Sequence, residues 1–146
     1  MSYDPVSPAA VASRKVARNY VNGSGSTLPM GAPISTLSSG LVTTVNVSSQ
    51  ASVDAFVGLY NQSTPSAASG LTIDAGLLEN ITGYSFSVGD PIYVSKTGTL
   101  SNVIPSVGVG GFVSGDFVIF LGVIVQNEFN GLQQDLKILI VKPGSL

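Results

Sequence analysis

The chain has 146 residues, of which 44% are hydrophobic and 10% are charged, and its formal net charge is −2. This length suits one domain and the hydrophobic content is ample for a core, which excludes a disordered chain. The sequence has no His and no Cys, so the commonest general base and metal ligand, thiol nucleophiles and disulfides are all absent. We therefore expect no enzyme activity, no cofactor and no metal.

The first twenty residues concentrate positive charge. Arg14, Lys15 and Arg18 are three of the six cations in the chain, with Asp4 as the only acid beside them. A basic segment on an acidic body indicates a protein surface as partner. A nucleic-acid binder usually carries a basic face, so no nucleic acid is expected.

Residues 1–27 are predicted to form an N-terminal arm and hinge. The spacing of the apolar residues after Pro8 fits a short helix, and an arm that becomes ordered on a partner fits equally well. The Gly- and Ser-rich run 22–27 predicts a flexible joint. The β domain is then predicted at residues 28–146. No secretory signal is predicted, because the first thirty residues lack a continuous apolar core.

Two stretches of the chain have similar sequences. Residues 30–40 and 88–98 align without a gap and share a first Gly, a Pro-Ile pair and a final Gly. Each copy predicts a β-hairpin in which Pro begins a short strand and a Gly at positive φ closes the turn. A duplicated hairpin indicates a β scaffold.

The rest of the chain is predicted to form further strands and one helical turn. Strands are predicted at 41–47, 55–60, 71–73, 77–81, 117–125 and 136–142, with the helical turn within 48–54. The run 117–125 is apolar on both faces, as expected of a central strand. It is too short for a membrane-spanning helix, which takes about 20 residues, so no membrane is expected. The fold is predicted to be mainly β, a small single-domain β-barrel or β-sandwich.

Glycines and acids that suggest functional motifs have structural explanations. The glycine-rich stretch 107–115 lacks the Lys-Ser/Thr of a phosphate loop, so we predict a bent strand or a close backbone contact there. Asp74, Asp90 and Asp116 each lie beside Gly or a turn, where Asp commonly bonds its own backbone. No EF-hand spacing joins them. No catalytic, cofactor-binding or metal-binding residue is predicted.

The second hairpin, residues 88–100, followed by Val107-Gly108 and by Leu121-Gly122-Val123, resembles the small decoration (cement) proteins of tailed-bacteriophage capsids. The resemblance covers mainly residues 30–142 and depends on the hairpin sequence and on the placement of Gly. It implies a compact β domain without catalytic residues, located on the capsid surface of a virion and made in the host cytoplasm. The partners it implies are the major capsid protein and, in a homo-oligomer, further copies of the chain.

Cement proteins bridge capsid subunits and help the shell resist the pressure of packaged DNA. If the resemblance holds, the arm is the natural contact, with cations facing acidic capsid groups and apolar side chains as anchors. The candidate partner-binding residues are Val11, Arg14, Lys15, Val16, Arg18 and Tyr20. A solvated surface explains the cations equally well.

Two other functions are consistent with the sequence. A phage tail or fibre module would bind another virion protein or a host surface, and copy number per particle distinguishes it from a capsid protein. A carbohydrate-binding β-sandwich usually presents exposed aromatic side chains, and this chain has no Trp. Glycan binding would identify that alternative.

Overall fold

The structure is a computed structural model that describes residues 16–146. The strands of this range are β1 Val16–Val21, β2 Pro33–Thr36, β3 Val42–Thr44, β4 Phe56–Tyr60, β5 Ser69–Leu78, β6 Pro91–Val94, β7 Leu100–Ser101, β8 Phe117–Gln126 and β9 Gln134–Ser145. One short helix, α1 Gln50–Asp54, precedes β4. Its N-cap is Ser49, whose side chain accepts a hydrogen bond from the backbone N–H of Ser52, which confirms the predicted helical turn.

The nine strands of the described range form one antiparallel sheet that curls into a half-barrel. The strand order is β3-β2-β4-β5-β9-β8-β6-β7, and β1 pairs with β5 outside this path. The predicted mainly β fold is confirmed. The sequence left barrel and sandwich open, and the structure has a single curled sheet.

The strand order consists of two copies of one four-strand unit. The unit β3-β2-β4-β5 is followed in reverse order by β9-β8-β6-β7. In both units the Pro-Ile strand pairs with a glycine-containing strand: Ile34 lies opposite Gly58, and Ile92 lies opposite Gly122. In both, the register shifts directly after the Ile. The duplication seen in the hairpins therefore extends to the two strands that follow each hairpin.

Backbone hydrogen bonds recur at equivalent positions of the two units. The N–H of Gly31 donates to the carbonyl of Tyr60 at 2.8 Å, and the N–H of Gly89 donates to the carbonyl of Ile124 at 2.8 Å. Both glycines have positive φ, 83° and 94°, a conformation that Gly adopts without a steric cost. Local turn chemistry thus fixes the same strand pairing twice.

The main core is formed by buried residues of both units. β8 is not buried on both faces, because five of its apolar side chains are only partly buried. It contributes Ile119, Leu121 and Ile124, which are fully buried. A side chain of this kind contributes about 1.5–3 kcal/mol when it is fully buried. A smaller cluster consists of Leu28, Ala32, Ile34, Val42 and Tyr60.

Residues 16–21 form strand β1, so the prediction of a helix or a mobile arm is wrong for these residues. β1 pairs antiparallel with β5, from Val16 opposite Ala75 to Val21 opposite Ser69. As a strand, this segment forms backbone hydrogen bonds with the edge of β5. As an isolated short helix, it would depend on its own internal hydrogen bonds and would be only marginally stable in water. Within the described residues the sheet therefore includes Val16–Val21, ahead of the predicted start of the β domain at Leu28.

Residues 22–27, predicted to be a flexible joint, are fixed by hydrogen bonds. Asn22 is fully buried, and its Nδ2 donates to the carbonyls of Ser26 at 2.8 Å and Thr64 at 2.9 Å. Its Oδ1 accepts from the N–H of Ser24 at 2.9 Å. One buried Asn therefore orders a loop whose composition predicts flexibility.

Two other elements differ from the sequence predictions. β5 is one strand where two short strands were predicted, because Ala75 and Gly76 stay in the ladder and pair with β1 and β9. The stretch 107–115 forms turns instead of a bent strand. Gly108 and Gly111 there have φ of 85° and 88°, so these glycines serve turns.

Candidate docking surfaces

Large apolar side chains are exposed at one end of the sheet. Phe129 and Leu132 lie in the loop 127–133 between β8 and β9 and are 90% and 96% exposed. Three further apolar residues are exposed next to the turn before β6 and directly after β7. We call the whole group the end surface: Val88, Val103, Ile104, Phe129 and Leu132. Apolar side chains exposed at one end of a sheet are candidates for an interaction site.

Hydrogen bonds place these three segments at the same end. The bond from Gly89 to Ile124 sets the turn before β6 beside the last residues of β8. Asn102, which directly precedes Val103, donates from Nδ2 to Oδ2 of Asp90 at 3.1 Å. The segment after β7 therefore lies against the same turn.

The loop 127–133 is held by a buried Asn–Asp pair. Asn127 and Asp135 are 9% and 2% exposed, and Nδ2 of Asn127 donates to Oδ1 of Asp135 at 3.1 Å. Oδ1 of Asn127 accepts the N–H groups of Phe129 at 3.0 Å and Asn130 at 2.9 Å. The apolar side chains are thus presented on a fixed backbone, which reduces the entropy lost on binding.

The end surface is not predicted by any pattern in the sequence. Phe129 and Leu132 lie in a segment between two predicted strands whose other residues are mostly polar. The available signal was a pair of large apolar residues in a loop otherwise rich in Asn, Gln and Gly. At the tip of a hairpin, such side chains do not reach the core and remain exposed.

A cleft opens where β5 and β9 separate. β5 pairs with β9 only from Gly76 to Leu78, and its earlier half pairs with β1. The cleft has a volume of about 440 Å³. Its lining includes Arg18, Tyr20, Thr72, Asp74, Ile140 and Lys142.

Two of the predicted partner-binding residues, Arg18 and Tyr20, line this cleft. Val16 is the first residue of β1. The structure therefore brings together two of the six predicted residues and adds Asp74 and Lys142, which the sequence did not connect with them. The other three, Val11, Arg14 and Lys15, lie outside the described residues.

Thr72 in the cleft has an unsatisfied hydroxyl. It is 2% exposed, and its Oγ1 is the one buried side-chain polar atom in the described chain without a hydrogen-bond partner. An unpaired buried polar group costs about 1–3 kcal/mol. We expect Thr72→Val to raise the free energy of unfolding by about 1 kcal/mol, measured by urea denaturation.

Thr64→Val is the matched control for this substitution. Thr64 is also buried, but its Oγ1 donates to the carbonyl of Gln62 at 3.1 Å. Removing that hydroxyl should lower stability, so the two variants should shift in opposite directions. A Thr72→Val protein less stable than the parent would show that its hydroxyl is satisfied.

A partly buried ion pair lies at the opposite end of β8. Nζ of Lys96 donates to Oδ2 of Asp116 at 2.5 Å, and Asp116 also accepts from the N–H of Val113 and from Oγ of Ser48, both at 2.9 Å. The bonds from Lys96 and then Val113 hold the pKa of Asp116 below its usual value. This network ties the stretch 107–115 to the β6–β7 turn.

The lowered pKa of Asp116 predicts a pH-dependent contribution to stability. Its contribution is fully present above the unfolded pKa of about 3.9 and is lost as the pH falls through the lower folded pKa. Asp116→Asn should therefore lower the urea midpoint at neutral pH, and its difference from the parent should shrink in acid. Asp54→Asn, on exposed α1, is the control for charge removal. A difference that stays constant down to strong acid would contradict the role of the carboxylate.

Within residues 16–146, no group of three or more acidic side chains comes together as a metal site. No helix of that range has both the length and the apolar composition needed to cross a bilayer. Comparison of the chain with protein-family models, with curated proteins and with solved structures finds no match. The resemblance to phage decoration proteins stays an expectation.

Proposed function

We propose that the protein is a non-enzymatic structural protein of a tailed-bacteriophage virion that binds the outside of the capsid and bridges capsid subunits. The observation that carries the proposal is the end surface, where Phe129 and Leu132 are almost fully exposed on a fixed loop. Each such side chain gains about 1.5–3 kcal/mol when a partner buries it. That gain favours a protein surface with apolar pockets as the partner.

Bridging requires two contacts on each molecule. The end surface supplies one, and the basic N-terminal residues, with Arg14 and Lys15, are proposed to supply the other. Single contacts of this size are weak. Many copies on one particle reinforce the shell, because each spans a junction and adds interface area.

The test is binding of the purified protein to particles assembled from the major capsid protein of the same virus. The double variant Phe129→Ser, Leu132→Ser should bind on the order of a hundredfold more weakly, corresponding to about 3 kcal/mol of lost apolar burial. Its free energy of unfolding should stay close to that of the parent, because both side chains are exposed. The control is Leu37→Ser, Leu41→Ser, which replaces two apolar side chains that are 42% and 38% exposed in the β2–β3 turn and should leave binding unchanged.

Each outcome of this experiment is informative. Failure of the parent protein to bind the particles overturns the proposed function. Equal binding by the parent and the end-surface variant places the contact elsewhere on the molecule. A few copies per particle, at one position, indicate a tail or fibre component instead of a capsid protein.

A further inference from the structure

The cleft is bordered by two strand edges that have no partner strand within the described residues. β9 pairs with β8 on one edge, whereas on the other edge its pairing with β5 ends at Ile138. β1 pairs with β5 on one edge and with no described strand on the other. Unpaired edges present rows of backbone donors and acceptors that attract a further strand.

The strand directions suit an added segment. β1 and β9 are both antiparallel to β5, so they run in the same direction from the point where β5 and β9 separate. A segment running the opposite way is antiparallel to both edges. The open edge of β9 is limited to residues 139–142, about 13 Å of strand, because Pro143 has no N–H to donate.

The side chains of the cleft favour a segment with a negative charge. Arg18 and Lys142 contribute two positive charges and Asp74 one negative charge, on a chain with a net charge of −2. Nζ of Lys142 also donates to the carbonyl of Val53 at 3.3 Å, which fixes the position of this side chain.

We propose that the cleft binds an extended, carboxylate-bearing segment of the partner protein, which adds as a strand to the open edge of β9. The proposal deepens the proposed function, since it takes that partner to be the capsid protein. Residues 1–15 of this chain match the cleft less well in charge. They carry Arg14 and Lys15 against Asp4, and therefore bring like charge to Arg18 and Lys142.

The experiment is amide hydrogen exchange of the full-length protein, free and bound to the capsid particles. The amides of 139–142 that point away from β8 should exchange about tenfold or more slowly in the bound protein. Arg18→Glu should weaken particle binding about tenfold, since it reverses a charge beside the added strand. Lys137→Glu reverses an exposed charge of β9 that does not line the cleft and should bind as the parent does.

Three results would overturn the proposal. The first is particle binding without any change in amide exchange at 139–142. This result agrees with the proposed function but not with the cleft proposal. The second is slow exchange, in the free protein, of the amides of 139–142 that point away from β8, because this chain itself would then cover the edge. The third is equal loss of binding in the Arg18 and Lys137 variants.

If the protein does not bind particles, the proposed function fails and a peptide titration decides the cleft separately. The probes are an acetylated peptide of alternating Thr and Val with a central Glu, and the same peptide with Lys in place of Glu. Shifts of the amide resonances of 139–142 that are larger with the Glu peptide support the cleft proposal. Absent shifts, or equal shifts with both peptides, overturn it.

Discussion

Gly122→Ala should unfold the protein or destabilise it by on the order of 4 kcal/mol or more. A Cβ on Gly122 would lie well inside van der Waals contact with the carbonyl oxygen of Lys137, and the φ of Gly122 is +150°. The atom that the Cβ would meet belongs to the backbone of β9, which cannot rotate away as a flexible side chain could. Any shift of β9 would also open the main core, because Leu136 and Ile138 of that strand are buried there. Urea denaturation, or loss of the folded protein on expression, measures the effect.

Gly58→Ala tests the same position in the first unit. A Cβ there would lie 2.5 Å from the carbonyl oxygen of Ile73, with φ at +139°, so a similarly large loss is expected. Gly89→Ala is the matched control, because its φ is +94° but nothing lies within 4 Å of its Cβ position. That variant should lose only about 1 kcal/mol from backbone strain. If all three variants lost the same amount, the strand contact would not be the cause.

The duplicated hairpins were predictable because their chemistry is local. Gly31, Gly40, Gly89 and Gly98 all have positive φ, and Pro begins both β2 and β6. Each of these features acts within a few residues of the chain. The equivalence of β4 with β8, and of β5 with β9, was not predicted, because it is defined by register between strands and not by a shared run of residues.

The ordered structure of residues 16–27 was not predictable, because it depends on contacts with residues that are distant in the sequence. The buried Asn22 bonds to Thr64, 42 residues away in the chain, and β1 depends on the edge of β5. The composition of a Gly- and Ser-rich segment predicts a flexible backbone. Here hydrogen bonds to residues far away in the chain fix the backbone instead. Arg18 and Tyr20 were singled out by charge and spacing, yet the cleft that they line exists only once β1, β5 and β9 are placed.

The exposure of the end surface is likewise a property of the fold. Val103 and Ile104 are β-branched apolar residues, a type common in strands and in cores. They are exposed because β7 ends at Ser101 and the chain then passes through turns. Fixed loops around them, and not the apolar residues alone, make the end surface suited to docking.

Asn127→Ala should lower the free energy of unfolding by about 2 kcal/mol, because the buried Asp135 carboxylate loses a donor and two loop N–H groups lose their acceptor. Urea denaturation measures this loss. The control is Asn46→Ala, which removes an exposed side chain that accepts only the N–H of Ser48, at 2.9 Å. It should cost well under half as much.

The same substitution should also weaken particle binding, although it leaves Phe129 and Leu132 in the sequence. In the variant the loop backbone is no longer held, so docking of the two side chains must also order the loop and costs conformational entropy. In the parent protein folding has already ordered the loop, so docking costs less. The amides of Phe129 and Asn130 should then exchange faster in the free variant. The end-surface double variant should differ from it, with binding lost and stability kept. If Asn127→Ala bound as tightly as the parent while those amides exchanged faster, the fixed loop would not contribute to docking, and exposure of the two side chains alone would account for it.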